Sequence, residues 1–152
     1  MDSSLKISCT LIHTGQHYLI LPNSAIAEVL VTSVLNTNEQ QPTWGAGQIE
    51  WDYQIVPLIS FDQLESELQR NNTGKHIILI VRNPVTNGRP AYFGIIASSI
   101  PQIVQANSST LKKNLQPKSL HRYALSYILF NGRPALIPDL PRIAQLLVSN
   151  NS

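Results

Sequence analysis

The side chains in this sequence that could do chemistry are few: histidines at 13, 17, 76 and 121, one cysteine at 9, and the acidic pair Glu50 and Asp52 on alternate positions. A metal site needs three or four His, Cys, Asp or Glu side chains aimed at one point. His13 and His17 flank Gly15 at what reads as a hairpin turn, but no third ligand completes a set, no His-x-x-x-His falls on a helix, and no Cys-x-x-Cys occurs. The nucleophile elbow Gly-x-Ser-x-Gly is absent. Gly45-Ala-Gly47 lacks a third glycine and leads into a strand, so no helix start is offered to a phosphate. Glu50 and Asp52 read as solvated residues of a hairpin face, without the burial that general acid–base work requires. Cys9 lies in a strand-like run and has no partner for an internal disulfide, so it reads as a small buried apolar residue. The expectation is a protein without catalytic residues, metal or cofactor.

The 152 residues are 43% hydrophobic and 13% charged, enough apolar surface for one stable domain or two small barrels and too little charge for a disordered tail. No apolar run approaches the ~20 residues of a membrane span, and the N-terminus MDSSLKISC lacks the layout of a signal peptide, which implies a cytoplasmic protein with no direct membrane insertion. The net charge of +2 hides a split: residues 1–71 carry two basic and eight acidic side chains, a net −6, and residues 72–152 carry nine basic and one acidic, a net +8. Such polarity steers head-to-tail association. The basic half also admits a nucleic-acid reading, but its cations are spread over loops and its aromatics, Tyr92, Phe93, Tyr123, Tyr127 and Phe130, stand at positions expected to be core.

Strand signals come in two sets of five, near 5–12, 16–21, 25–33, 47–51 and 54–60, then near 76–82, 91–97, 99–106, 123–130 and 134–138, with a helix over about 139–148. A loop at 36–42 and a polar break at 70–74 fall between runs. The stretch 44–64 is the richest. Ile49 and Trp51 alternate with Gln48 and Glu50, Asp52 and Tyr53 form a turn, and a return strand follows in which Pro57 implies a sheet edge or a bulge. Ser60 or Asp62 can cap a short amphipathic turn over 61–68. The halves echo each other: Tyr18, Ser24, Ile26, Val29 and Leu30 match Tyr92, Ser98, Ile100, Ile103 and Val104 at an offset of 74, and Ile49, Trp51, Phe61 and Leu64 match Ile128, Phe130, Leu140 and Ile143 at an offset of 79. A duplicated unit is implied. The fold class is mainly β: two tandem small barrels, subdomains of about 5–70 and 75–150, with a short C-terminal helix.

The order Trp44, Gly45-x-Gly47-x-Ile49, a polar turn, then Ile55-Val-Pro57-Leu-Ile59-x-Phe61 resembles the signature of CheW-like coupling domains, where Gly-x-Ile-Asn-Leu-Arg-Gly-x-Ile-x-Pro-Val-Ile-Asp-Leu is usual. Asp52 stands where that family has Arg, Tyr53 where it has Gly, and Ser60 where it has Asp. The chain is thus similar to a divergent member, most like the ChpC branch of accessory proteins in type IV pilus chemosensory systems. The resemblance implies two SH3-like five-stranded barrels packed side by side over roughly residues 5–148. It also implies a non-enzymatic adaptor that couples the cytoplasmic tip of a chemoreceptor to the regulatory domain of a histidine kinase, with other CheW-like proteins as further partners. On this resemblance the kinase-binding residues are Ile26, Glu28, Val29, Gly47, Glu50, Asp52 and Tyr53, with Ile26 an exposed apolar anchor. The receptor-binding residues are Phe93, Ile95, Ser98 and Val104. Exchanging Asp52 and Tyr53 for Arg and Gly is expected to be silent for stability, as exposed turn substitutions generally are. The alternative reading is a small β-barrel module that binds peptide or nucleic acid.

Overall fold

A computed structural model describes residues 6–32, 45–64, 76–117 and 120–149. The expected loop at 36–42, the break at 70–74, Trp44, and the later part of the short turn over 61–68 lie outside the described residues.

The apolar runs become strands in the order β1 (Ile7–His13), β2 (Tyr18–Pro22), β3 (Ile26–Thr32), β4 (Gly45–Trp51), β5 (Gln54–Ile59), β6 (His76–Arg82), β7 (Tyr92–Ala97), β8 (Gln102–Ala106), β9 (Leu111–Lys113), β10 (Ala124–Phe130) and β11 (Arg133–Pro138). A 10-residue helix, α1 (Leu140–Ser149), follows. Its start is capped: the Arg142 N–H donates to Asp139 Oδ1 at 3.2 Å, and Pro141 sits in the first turn, where its missing N–H costs nothing. No helix among the described residues is long and apolar enough to cross a membrane.

Ten of these strands match the sequence reading to within a few residues; β9, three residues long with two lysines, offered no hydrophobic period to detect. The strands build two open sheets, β8-β1-β2-β11-β10-β9 and β3-β6-β7-β5-β4. The mainly β fold with a C-terminal helix is therefore as expected, but one sheet has six strands rather than five.

The sheets do not divide the chain into a first and a second half. Residues 7–22 and 102–138 form the six-stranded sheet, and residues 26–97 form the other. Yet the duplication is visible in the topology. Aligning β1, β2, β8, β10 and β11 with β6, β7, β3, β4 and β5 reproduces the same strand order, including the parallel pairs β11–β2 and β5–β7. Each half of the chain gives two strands to one sheet and the rest to the other.

Packing follows the alternation of side chains along the strands. Ile20 on β2 faces the interior of the six-stranded sheet with Cys9, Ile128 and Phe130. Its neighbours Leu19 and Leu21 face a central core. On β6, Ile78 and Ile80 join Ile49, Val56 and Leu58 inside the five-stranded sheet, and Leu79 and Val81 turn to the central core. That core is closed by Phe61, Phe93, Ile95 and the helix residues Ile143, Ala144 and Leu147. A strand buried on both faces reads as an unbroken apolar run, which is what His76–Arg82 presents.

Pro57 lies neither on an edge strand nor at a bulge of its own. β5 sits between β4 and β7, but its ladder with β7 covers only Leu58 and Ile59, so the position before it needs no N–H on that side. The bulge is on the facing strand, between Gly45 and Gly47.

Gly94 is the tightest point of the five-stranded sheet. A Cβ there would stand 2.4 Å from Leu58 Cδ2 and 2.8 Å from Ile78 Cγ2. Gly94→Ala should therefore lower unfolding free energy by about 1–3 kcal/mol through overpacking, measured by urea denaturation; an unchanged midpoint would show that Leu58 and Ile78 can yield.

Candidate functional site

The β4–β5 hairpin ends in a two-residue turn in which Asp52 and Tyr53 both adopt left-handed backbone, φ 51° and 61°. This is the turn whose twist matches paired strands and which favours Asn-Gly. The β10–β11 hairpin makes the same turn with Asn131 and Gly132, φ 51° and 81°. Tyr53 thus occupies a position that suits glycine, and its side chain is 98% exposed. A non-glycine residue held there costs roughly 1–2 kcal/mol. Behind the tip, Trp51 packs edge-on against Tyr92 with ring centroids 4.9 Å apart, which stiffens the base of the hairpin. Glu50 and Ile55 are exposed on its flanks. Gly47, buried with φ 103°, supports the bulge in β4. The tip is an exposed hydroxyl-bearing ring with carboxylates beside it, suited to binding another protein.

The remaining residues assigned to kinase contact lie on β3. Glu28 and Val29 are exposed there, but Ile26 is half-buried against the central core, and its carbonyl accepts from the Arg82 guanidinium at 2.8 Å. The reading of Ile26 as an exposed anchor is therefore corrected. The bulge between Ile26 and Glu28 resets which residues face outward, and the exposed apolar side chains of this strand are Val29 and Val31. β3 and β4 are the two edge strands of the five-stranded sheet, and the exposed Glu28 and Val29 lie on one while Glu50 and the tip lie on the other.

The receptor assignments are corrected more sharply. Phe93 and Ile95 are fully buried in the central core, because β7 is an inner strand covered on both faces. Neither can touch a partner. Val104 is half-buried against the interior of the six-stranded sheet. Ser98 is exposed but engaged: its hydroxyl donates to the His13 carbonyl at 2.8 Å and lies 2.9 Å from His13 Nδ1. The apolar side chains that do face solvent in this part of the chain are Ile100 and Ile103.

The titratable side chains serve the junction between sheets. The Asp62 carboxylate accepts from Thr14 Oγ1 at 2.6 Å and the Gln16 N–H at 3.1 Å, and lies 2.8 Å from His17 Nδ1. It thereby fastens the β1–β2 turn to the end of β5. Gly15 permits this approach, since a Cβ there would be 3.0 Å from Asp62 Oδ2 and its φ is 118°. His121 is buried and stacked on Phe61 at 4.1 Å. Its Nδ1 accepts from the Tyr123 N–H at 3.0 Å, which leaves Nε2 to carry the proton and donate to the Phe61 carbonyl at 3.0 Å. Among the described residues no three His, Cys, Asp or Glu side chains are grouped to hold a metal. Cys9 is buried, and desolvation pushes its thiol above the ordinary value, which disfavours the thiolate a nucleophile would need. Of the aromatics in the basic half, Phe93, Tyr123 and Phe130 are buried and Tyr92 and Tyr127 half-buried, which removes them as stacking platforms for bases.

The model of the CheW-like domain family matches residues 8–148. No curated protein sequence matches the chain. Among solved structures, the scaffolding protein TtCheW from Thermoanaerobacter tengcongensis is similar at a TM-score of 0.70 and 12% identity, over 90% of this chain and 86% of that one.

The turn geometry overrides the expectation that tip substitutions are silent. Tyr53→Gly should raise stability by about 0.5–1 kcal/mol, the relief of left-handed strain less the chain entropy that glycine adds. Thermal unfolding would check it, and a loss of stability would mean that the exposed ring packs on its own hairpin.

Proposed function

Because the chain belongs to the CheW-like domain family, we propose that it is a cytoplasmic, non-enzymatic adaptor that couples a chemoreceptor to a histidine kinase. The observation that carries the kinase half of this reading is Tyr53, a fully exposed aromatic side chain kept at a backbone position that favours glycine. Strain that persists without a packing reason marks a functional contact. In this reading Tyr53 buries its ring in the kinase regulatory domain while Asp52 and Glu50 pair with basic groups at the rim, with Gly47 shaping the hairpin behind them. Glu28 and Val29, exposed on β3 at the other edge of the same sheet, add to the contact with the kinase regulatory domain.

For the receptor, we replace the buried Phe93 and Ile95 with the cleft beside the sheet junction, walled by His17, Tyr18, Pro117, Tyr127, Leu129 and Pro134. Its walls are largely apolar, as an amphipathic helical tip requires. The departures at Asp52, Tyr53 and Ser60 mark a divergent member, which in this reading is an accessory coupler of the ChpC branch, serving a type IV pilus system for twitching motility.

The test is affinity for the regulatory domains of the histidine kinases from the same genome. The wild-type chain should bind one of them, more weakly as salt rises above ~0.15 M, and Asp52→Arg with Tyr53→Gly should weaken that binding at least about tenfold while the protein stays folded. Equal affinities for the folded double variant and the wild type would remove the tip from the interface.

A further inference from the structure

Two open sheets have four edges, and a free edge invites pairing with another chain unless it is blunted. Three of the four are. β3 carries a bulge and Glu28, β4 a bulge and Glu50, and β9 is three residues long with Lys112 and Lys113 exposed. β8 has none of these devices. It runs Gln102–Ala106 without charge or proline, pairs with β1 in regular register over five residues, and has no strand on its other side among the described residues. Ile103 on this strand is 75% exposed and Ile100, just before it, 71%. The internal duplication sharpens the contrast: β3 is the equivalent edge of the other sheet, and Gln102 stands at the offset of 74 from Glu28.

The edge also borders a cleft. Gln102, Val104 and Gln105 of β8 line it together with Phe130, Asn131 and Arg133 of the β10–β11 hairpin. The side chain of Arg133 is exposed and makes no hydrogen bond or ion pair among the described residues. A second cavity, on the β1–β2 side, shares Arg133 and adds His13, Tyr18 and Ile100. The described part of the six-stranded sheet carries Lys112, Lys113 and Arg133 and not one acidic side chain on its strands.

We propose that β8 is a docking edge for an extended acidic segment of a partner protein. The segment adds as a strand alongside Gln102–Ala106, covers Ile103, and places a carboxylate, from a side chain or a chain terminus, on Arg133. Strand addition supplies main-chain hydrogen bonds, and the cleft and the guanidinium supply selectivity. The charge decides between occupants. Pairing β8 with β8 of a second copy would bring two basic sheets together without a compensating anion, whereas an acidic strand is attracted to the same surface. This surface is separate from the hairpin tip but shares Arg133 with the rim of the cleft proposed for the receptor, so Ile103→Lys, which lies outside that cleft, is the variant that tells the two readings apart.

The experiment is selection of a random decapeptide display library on the intact protein, followed by fluorescence anisotropy of the enriched peptides against wild type, Ile103→Lys and Arg133→Glu. Both substitutions are on exposed side chains, and thermal unfolding verifies that each variant is folded. Enriched peptides should be rich in Asp and Glu, bind less tightly as salt is raised, lose about tenfold or more in affinity with either variant, and shift the amide resonances of Gln102–Ala106 in the wild-type protein. Failure to enrich any peptide, enrichment of neutral or basic peptides, or binding untouched by both folded variants would overturn the proposal. So would a wild-type dimer in sedimentation that Ile103→Lys converts to monomer, because the edge would then belong to a second copy.

Discussion

Strands β2 and β6 bury side chains on both faces, and the rest of the molecule is arranged around that constraint. Leu19 and Leu21 look one way and Ile20 the other; Leu79 and Val81 oppose Ile78 and Ile80 in the same manner. A sheet with two buried faces needs two covers. One is supplied by its own curl over a private interior. The other is the neighbouring sheet together with Ile143, Ala144 and Leu147 of the helix. The polar junction works within this frame. Asp62 and His121 tie loops to the ends of strands that the apolar layers have already brought near, at hydrogen-bond distances of 2.6–3.1 Å.

The same constraint decides what could be read from the chain. Alternation and apolar runs place ten strands and the helix, and the duplicated registers are real: Ile49 and Ile128 face equivalent interiors, as do Leu30 and Val104. Partnership was not legible. An apolar run tells that both faces of β7 are covered but not by what, so Phe93 and Ile95 could be mistaken for a contact surface. Ile26 misled for a local reason, since a bulge flips the facing of every later residue in its strand and leaves no mark in the hydrophobic pattern. The pairing of the second side of β2 with β11 rather than with β3 is a long-range choice that no short window carries.

The candidate site divides in the same way. Asp52 and Tyr53 were legible because a turn between alternating strands announces itself, and the structure adds the backbone cost that makes an aromatic residue there informative. The exposed Ile103 and the unguarded edge beside Arg133 were not, because an edge is defined by which strands fail to pair.

The exchange of strands between the two halves bears on how the chain is made. Leu19 of β2 pairs with Leu136 of β11, 117 residues later. At a synthesis rate of 5–20 residues per second, the β1–β2 hairpin waits roughly 6–23 s at the ribosome before its neighbour exists. The five-stranded sheet, drawn wholly from residues 26–97, is complete well before that. Assembly during translation therefore has an order imposed by topology: the inner segment closes first, and the β1–β2 hairpin gains its outer neighbours β8 and β11 only afterwards. Through that interval Leu19, Ile20 and Leu21, all buried in the finished molecule, depend on chaperones or on the early sheet for cover.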